Sequence, residues 1–523
     1  MKRIIQLIVI AAVILTGYSC QKYLDAAYKN PNLPTYAPPE QVLQSCISGM
    51  HRGIAFDARM TGFITQNFAS VVGINQWERH GYNPGSDNGG DVWRMHYWNM
   101  GFNLIDMIDS SRITGKYDYI AAAYALNAWS WMTVADEHGD LPVLQAFEKG
   151  RLSFDYDAQN VAYELALRLC DSSLYYWTLA ADMSKPTLAE GDLYFFQGNM
   201  ARWKKFVNGV KARLYHRYSM KADYKPDSVI KYADLAMSSS DDDAMIQFNL
   251  AFPDVTARNF FGPSRNNLGG FRIGALPVNL MNGTVYTGVT DPRLKYIMKP
   301  SNDGKFRGII CNQQVDNPTT PTDQRVYNFW GFVASTTAPS GGVDTGARTF
   351  FKNNSKFPIM TYSEMQFLKA EAAFKKGDKT TARAAYINGI SGHFDMLEKH
   401  FTGYVAMTAA EKSNYLANTA IVPAAAADLT ISQIMCQKYL SLFGWGFVEN
   451  WVDMRRYAYD EINIYPTYTR LPLISLYPDN GGKLCERFRP RYNSEYLWNV
   501  DALKKVGGFN PDYHTYKVWF SQP

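Results

Sequence analysis

Residues 361–377 read TYSEMQFLKAEAAFKKG, and this stretch decides the fold class. Thr361 and Glu364 have the S/T-x-x-E spacing of a capping box, which marks the start of a helix. Apolar residues then recur at helical spacing, at Met365, Leu368 and Ala372. Gly377 ends the pattern, because glycine accepts the left-handed backbone that closes many helices. The stretch therefore predicts a helix of about four turns followed by a glycine turn.

A second helix is predicted directly after this turn. One of its faces carries Ala382, Ala385, Tyr386, Ile390 and Phe394. Two helices joined by a glycine turn, with alanine at contact positions, resemble a tetratricopeptide unit. Thr430 and Gln433 cap a further helix. Because these pairs share no clean period, we predict degenerate repeats that pack side by side as a solenoid.

The rest of the chain divides into helical segments and one irregular region. Helical periodicity predicts two helices within residues 92–134 and single helices at about 158–181, 198–220 and 227–237. From 253 to 357, glycine, proline, asparagine and threonine dominate and the periodicity disappears. We predict a mainly α protein with a loop-rich insertion of short strands and long loops at about 253–357, and such long loops are usually functional or disordered.

Composition excludes several classes of protein. Of 523 residues, 46% are hydrophobic and 19% charged, which indicates a globular chain. A formal charge of +5, evenly spread, does not favour nucleic-acid binding. The six cysteines contain no C-x-x-C pair, so zinc or thioredoxin-like chemistry is disfavoured; buried free thiols are favoured, with one isolated disulfide left open. Aromatic residues reach 15%, and rings both fill cores and stack on sugars.

The N-terminus predicts export and lipidation. Lys2 and Arg3 precede an apolar run from Leu7 to Leu15, which is too short to span a bilayer. Small residues then lead to Cys20, so we expect a signal peptide at 1–19 and an acylated Cys20. The alternative is an ordinary cleaved signal with an incidental cysteine. The proline-rich residues 20–40 are predicted to form a tether before one domain, 41–523.

Several strings, taken together, resemble the SusD/RagB-type lipoproteins. The central one is Tyr362 to Ala372 with the KAEA motif, and it continues through 385–390 and 437–456. Upstream strings of the same kind are Gly139-Asp140-Leu141-Pro142, Gly191-Asp192-Leu193-Tyr194 and Asp291-Pro292-Arg293-Leu294. The resemblance covers most of the chain after Cys20. It implies a SusD-like α-α superhelix of tetratricopeptide-like pairs.

The resemblance also implies a function. Such proteins are non-catalytic nutrient-binding lipoproteins of the outer membrane, facing the cell exterior. They capture oligosaccharides, or in some cases peptides, and deliver them to a SusC-like TonB-dependent transporter. No cofactor, nucleic acid or metal is implied. The alternatives are a secreted glycan-cleaving enzyme on a helical scaffold, whose carboxylate pair sequence alone does not exclude, and a scaffold that contacts only its transporter.

Candidate ligand-binding residues are aromatic rings in loops, flanked by amides. One cluster is Asn75, Gln76, Trp77, Tyr82 and Asn83, and the other is Tyr327, Asn328 and Trp330 beside Phe329. A ring can stack on a sugar face while amides exchange hydrogen bonds with its hydroxyls. The opposing interpretation is that these rings pin their loops to the helices.

Other motifs favour structural roles. Glu364, Lys369 and Glu371 are interpreted as scaffold, with the acids capping helices or pairing with Arg455 and Arg456. Trp451 precedes Arg455 by one helical turn, which predicts a ring–guanidinium stack. Residues 87–91, DNGGD, lack the spacing of a calcium loop and are read as a helix-capping turn.

Overall fold

The computed structural model describes residues 37–71, 75–82, 85, 87–251, 253–313, 320–332 and 338–523. The predicted signal peptide, the acylated Cys20, most of the tether and Asn83 lie outside the described residues. The first described helix begins at Pro39, within the predicted tether. Proline suits the first helical position, because its missing N–H would have no partner there.

Helices account for most of the described chain. Their bounds are α1 Pro39–Ile64, α2 Asp91–Arg94, α3 Phe102–Thr114, α4 Tyr117–His138, α5 Gln159–Ala181, α6 Leu188–Gly191, α7 Met200–His216, α8 Pro226–Leu235, α9 Ala275–Met281, α10 Pro292–Ile297, α11 Tyr362–Lys376, α12 Lys379–His400, α13 Ala409–Ala417, α14 Ile431–Ser441, α15 Phe447–Arg456 and α16 Val500–Lys505. The described chain also contains two π-helical turns, Met95–Gly101 and Tyr492–Tyr496.

Neighbouring helices pack as pairs, as predicted. The most extensive contacts join α4 to α5, α11 to α12 and α7 to α8, and α8 also packs on α11. The α11–α12 turn closes at Gly377, whose φ of 89° is left-handed and costs a residue with a Cβ more than glycine. The mainly α architecture of tetratricopeptide-like pairs is therefore confirmed.

The loop-rich insertion is more ordered than the sequence indicates. It contains α9 and α10, two short helices that were not predicted, because each is shorter than the window over which periodicity can be read. Strand β3, Phe271–Ile273, pairs antiparallel with β1, Phe68–Ser70. Strand β2, Ala244–Ile246, pairs antiparallel with β4, Phe357–Met360. The first ladder joins the insertion to the strand that follows α1, and the second joins the C-terminal end of the insertion to the strand that precedes it.

A buried network of ion pairs joins five helices at the centre of the molecule. Arg213 pairs with Glu364 at 2.7 Å, Arg217 with Asp136 and with Glu449 at 2.7 Å each, and Arg456 with Glu371 at 2.7 Å. Lys438 and Asp453 complete the network at 2.8 Å. Glu364 and Glu371 are therefore scaffold residues, and the predicted pairing of an acid with Arg456 is confirmed; Arg455 instead donates to the Trp451 and Glu486 carbonyls.

The capping predictions are confirmed in part. Thr361 accepts the N–H of Glu364 and caps α11, but the Glu364 carboxylate bonds Arg213 instead of returning to the cap. Both arms of the Thr430–Gln433 box form. The Arg455 guanidinium lies 3.8 Å from the Trp451 ring centroid, which confirms the predicted stack.

The remaining structural expectations concern thiols, membranes and metals. The described cysteines are buried free thiols at positions 46, 170, 311, 436 and 485. Among the described residues, none of the helices is long and apolar enough to cross a membrane. That part of the chain also holds no group of three His, Cys, Asp or Glu side chains placed to bind a metal ion.

Candidate ligand-binding cleft

The first predicted ligand cluster is packed into the protein. Trp77 is 6% exposed and Tyr82 is 2% exposed, and their rings meet edge to face with centroids 5.0 Å apart. Asn75 accepts the N–H of Trp77 at 2.8 Å, which fixes the loop. Both rings are covered, so neither presents a face to a ligand here. Asn75 and Gln76 remain partly exposed, and their binding role stays a prediction.

The second predicted cluster is also mostly covered. Trp330 is 0% exposed and donates its indole N–H to the Phe261 carbonyl at 2.9 Å. Buried Asn328 accepts the N–H of Trp330 at 3.0 Å. Tyr327 is partly exposed, but the Lys299 ammonium lies 4.1 Å from its ring centroid. The rings of Trp77, Tyr82 and Trp330 therefore pin their loops, as the opposing interpretation of these clusters holds.

A different cleft presents exposed rings. It has a volume of about 630 Å³ and lies between residues 93–102, 142–154 and 491–495. Trp98 is 77% exposed at this cleft and Phe102 is 42% exposed. Pockets of this size are typical of sites for small molecules. The cleft combines accessible aromatic faces with charged groups, which the two predicted clusters do not.

Local backbone geometry explains the exposure of Trp98. The ring belongs to the π-helical turn Met95–Gly101, whose Met95, His96 and Met100 are buried. A π turn inserts an extra residue and so rotates one side chain off the buried face; such turns are frequent at functional sites. Tyr492–Tyr496, the other π-helical turn in the described chain, supplies Ser494 and Glu495 to the same cleft.

Close packing fixes one wall of the cleft. Phe147 has a left-handed φ of 66°, which is uncommon for a bulky residue. Its ring packs edge to face on Phe102, with centroids 5.3 Å apart. A Cβ on Gly101 would lie 2.1 Å from the Phe147 ring, so any other residue at this position would displace that ring. The wall is therefore held in one arrangement by its own packing.

The floor of the cleft is aromatic and hydrogen-bonded. Trp93 and Tyr97 lie with ring centroids 4.8 Å apart, and the Tyr97 hydroxyl donates to the Pro142 carbonyl at 2.6 Å. Trp93 also stacks on Tyr156 at 6.5 Å. These contacts link the π turn to the loop at 142–156 and keep the floor rigid.

The charged groups of the cleft differ in whether they have hydrogen-bond or ion-pair partners among the described residues. Arg94 makes no side-chain hydrogen bond or ion pair with any described residue and faces the cleft. Arg491 pairs with Asp87 at 3.2 Å, and Glu148 pairs with Arg151 at 2.6 Å. The charge of Arg94 lowers the pKa of Asp91, but the N–H donors of Arg94 are left available to a ligand in the cleft.

Glu495 is the buried acid of the cleft. It accepts the Tyr156 hydroxyl at 2.8 Å and the Asn499 amide at 2.8 Å. Burial raises the pKa of Glu495, although the hydrogen bonds from Asn499 and Tyr156 oppose the shift. Both partners hold this carboxyl in one position at the edge of the cleft.

A buried acid anchors the helix that carries the cleft. Asp57 of α1 accepts the N–H of Val92 at 2.7 Å and so caps α2. Burial, followed by repulsion from Asp91, raises the pKa of Asp57 to about 8. Asp87 of the DNGGD turn accepts the N–H of Asn493 at 3.1 Å. The turn therefore precedes a capped helix, as predicted, but Asp57 supplies the cap.

Trp93, Tyr97 and Trp98 fall within the helices predicted for residues 92–134, where the sequence alone gives them no binding role. The sequence does offer one signal of an exposed ring, because Trp98 lies outside the helical stripe that Trp93 and Tyr97 form. The rest of the cleft, around Phe147 and Arg491, is far away in sequence, and no local pattern brings those segments together.

Comparisons with known proteins identify what the chain resembles. A SusD-like family model, described as starch-binding associating with outer membrane, matches residues 31–473. No curated protein matches the chain significantly.

Solved structures share the fold at low sequence identity. One described as a chitin-binding protein is 19% identical, with a TM-score of 0.69 and coverage of 92% of this chain and 99% of that one. A SusD homologue from Parabacteroides distasonis is 17% identical, with a TM-score of 0.68 and coverage of 92% and 98%. A SusD homologue from Bacteroides fragilis is 17% identical, with a TM-score of 0.67 and coverage of 93% and 100%. At these identities the likeness establishes the fold alone.

Proposed function

The chain belongs to the SusD-like family of starch-binding proteins that associate with the outer membrane, and we propose that it captures oligosaccharides in the Trp98 cleft and delivers them to a SusC-like TonB-dependent transporter. In this proposal the protein is anchored through an acylated Cys20, faces the cell exterior and does not cleave its ligand.

The observation that carries the proposal is the exposed indole of Trp98 above a rigid aromatic floor. A stacked ring contributes about 0.5–1.5 kcal/mol beyond the area it buries. Arg94 adds hydrogen-bond donors for sugar hydroxyls beside that ring. A shallow site of this kind gives affinities in roughly the micromolar to millimolar range, which suits a protein that must release its cargo.

The state of the carboxyl groups supports binding without cleavage. Glycosidases need one carboxylic acid and one carboxylate poised on either side of the scissile bond. Here Glu495 is engaged by Tyr156 and Asn499, and Glu148 is ion-paired with Arg151. Both acids of the cleft thus already have partners within the protein, which favours structural roles for them.

Calorimetric titration of the protein from Gln21 onward tests the proposal. The panel contains maltoheptaose, chitotetraose and a mixed peptide pool, with products checked by mass spectrometry. We expect saturable binding of an intact oligosaccharide that weakens in Trp98→Ala. Trp498→Ala is the matched control, because that ring is 75% exposed but lies outside the cleft.

Distinct outcomes would contradict each part of the proposal. Equal losses in the Trp98 and Trp498 variants would remove the cleft as the site. Peptide binding alone would change the ligand class, and new products would establish an enzyme. Delivery is tested separately, by co-purification of a TonB-dependent transporter with the full chain from outer membranes; recovery of the protein alone would contradict it. A Cys20→Ala variant should lose its membrane association.

A further inference from the structure

A second cleft, of about 500 Å³, lies along α1 and shares no described lining residue with the Trp98 cleft. The walls are one face of α1, the residues that follow β2, and the loop 256–265. Two arginines, Arg52 and Arg265, line it. Among the described lining residues both charged side chains are these arginines; Asp91 and Asp254, whose charges act on Arg52 and Arg265, lie outside the lining.

No acidic side chain of the described cleft lining lies between the two arginines. Arg52 is exposed and makes no side-chain hydrogen bond or ion pair with the described residues, although its charge lowers the pKa of Asp91, which lies outside the cleft lining. Arg265 donates to the Thr256 carbonyl at 3.0 Å, and its guanidinium lies 5.4 Å from the Phe260 ring centroid. Burial, and then the charge of Arg52, lowers the pKa of Arg265, while Asp254 opposes this. Like charges held together in this way are relieved by a bound anion.

The other walls offer groups that suit a hydroxylated ligand. Gln44, Gln247 and Asn249 supply amides, and Ser45 and Ser48 supply exposed hydroxyls. His51 is buried in the wall, and its Nε2 accepts the N–H of Phe260 at 3.4 Å. Burial, and then Arg265, lowers the pKa of His51 to about 3, so this imidazole is neutral at physiological pH. The positive charge of the cleft is therefore supplied by its arginines.

We propose that this second cleft binds a sugar bearing a carboxylate or sulfate group, with Arg52 and Arg265 holding the anion. A guanidinium presents a planar fork of N–H donors that matches carboxylate or sulfate oxygens. The amides and hydroxyls match the remaining sugar hydroxyls, because each can donate or accept. The inference does not rest on the function proposed for the Trp98 cleft.

Titration with charged and neutral sugars tests this inference. The probes are trigalacturonate, a sulfated chondroitin disaccharide, maltotriose and sodium sulfate. We expect one of the acidic sugars to bind more tightly than maltotriose or sodium sulfate, and to bind more weakly as the salt concentration rises. The assignment would be overturned if sodium sulfate bound as tightly as both acidic sugars. It would also be overturned if neither acidic sugar bound.

Substitutions locate the binding. Arg52→Ala removes an exposed side chain without hydrogen bonds, so folding should be unaffected. Because hydrogen bonds to charged groups are strong, Kd for the acidic sugar should rise on the order of 10- to 100-fold, and Arg52→Glu should abolish binding. Arg168→Ala, at an exposed arginine on α5, is the matched control and should change nothing. An effect of Trp98→Ala equal to or larger than that of Arg52→Ala would overturn the proposal by assigning the acidic sugar to the other cleft.

Discussion

The substitution Glu371→Gln tests whether the charged residues of the KAEA motif hold the fold together. Glu371 is fully buried and receives hydrogen bonds from Arg456 at 2.7 and 3.0 Å and from the Tyr457 hydroxyl at 2.8 Å. His216 lies 2.8 Å away and Lys438 3.6 Å away. Glutamine keeps the shape of the side chain but removes its charge.

The expected loss follows from charge balance. In the variant, Arg456 and Lys438 share Asp453 as their remaining buried acid, which leaves one buried positive charge uncompensated. Removing one partner of a buried ion pair costs about 3–5 kcal/mol. Domains are typically stable by about 5–15 kcal/mol, so the variant should lose a large share of its free energy of unfolding.

Urea unfolding followed by circular dichroism measures this loss. The matched control is Lys369→Gln on the same helix, because Lys369 forms a partly exposed pair with Asp234 at 2.6 Å. Exposed pairs are worth about 0–1 kcal/mol, so the control should stay near wild type. Equal losses in the two variants, or a loss below about 1 kcal/mol for Glu371→Gln, would refute the assignment of Glu371 to a stabilising network.

Three further predictions follow from single contacts. Gly101→Ala should displace the Phe147 ring and weaken oligosaccharide binding several-fold in calorimetry, while circular dichroism at room temperature stays unchanged; undiminished affinity would show that this wall is not part of the site. Gly377→Ala should lower the free energy of unfolding by about 1 kcal/mol, because φ there is 89°, and no change in urea unfolding would contradict that cost. The pKa of Asp57 is raised to about 8 in the folded protein, so its contribution to stability is fully present below about pH 4 and is lost as the pH rises to about 8; melting temperatures of Asp57→Asn should fall less than those of wild type across that window, and parallel curves would argue against the shift.

The fold was accessible from the sequence because its signals are local. Thr361, Gly377 and the apolar stripe between them lie within one helix and its turn, so periodicity and capping suffice to predict them. The exposure of the rings in the two loop clusters was harder to predict, because the sequence around a ring in a glycine-rich loop is the same whether the ring faces solvent or the core. Trp330 faces the core because its indole N–H meets the Phe261 carbonyl, a partner distant in the chain.

The cleft could not be predicted for a related reason, because the residues that form it come from distant parts of the chain. The same contacts affect how the cleft binds a ligand. Trp98 is exposed because a π turn rotates it outward, and Asp57 and Phe147, from distant segments, hold that turn in place. Because the backbone that carries this ring is held by such contacts, little backbone freedom is lost when a ligand stacks on it. The remaining ordering cost falls on the exposed Trp98 side chain and on the ligand, so a longer oligosaccharide gains affinity only while each added sugar meets another surface of the cleft.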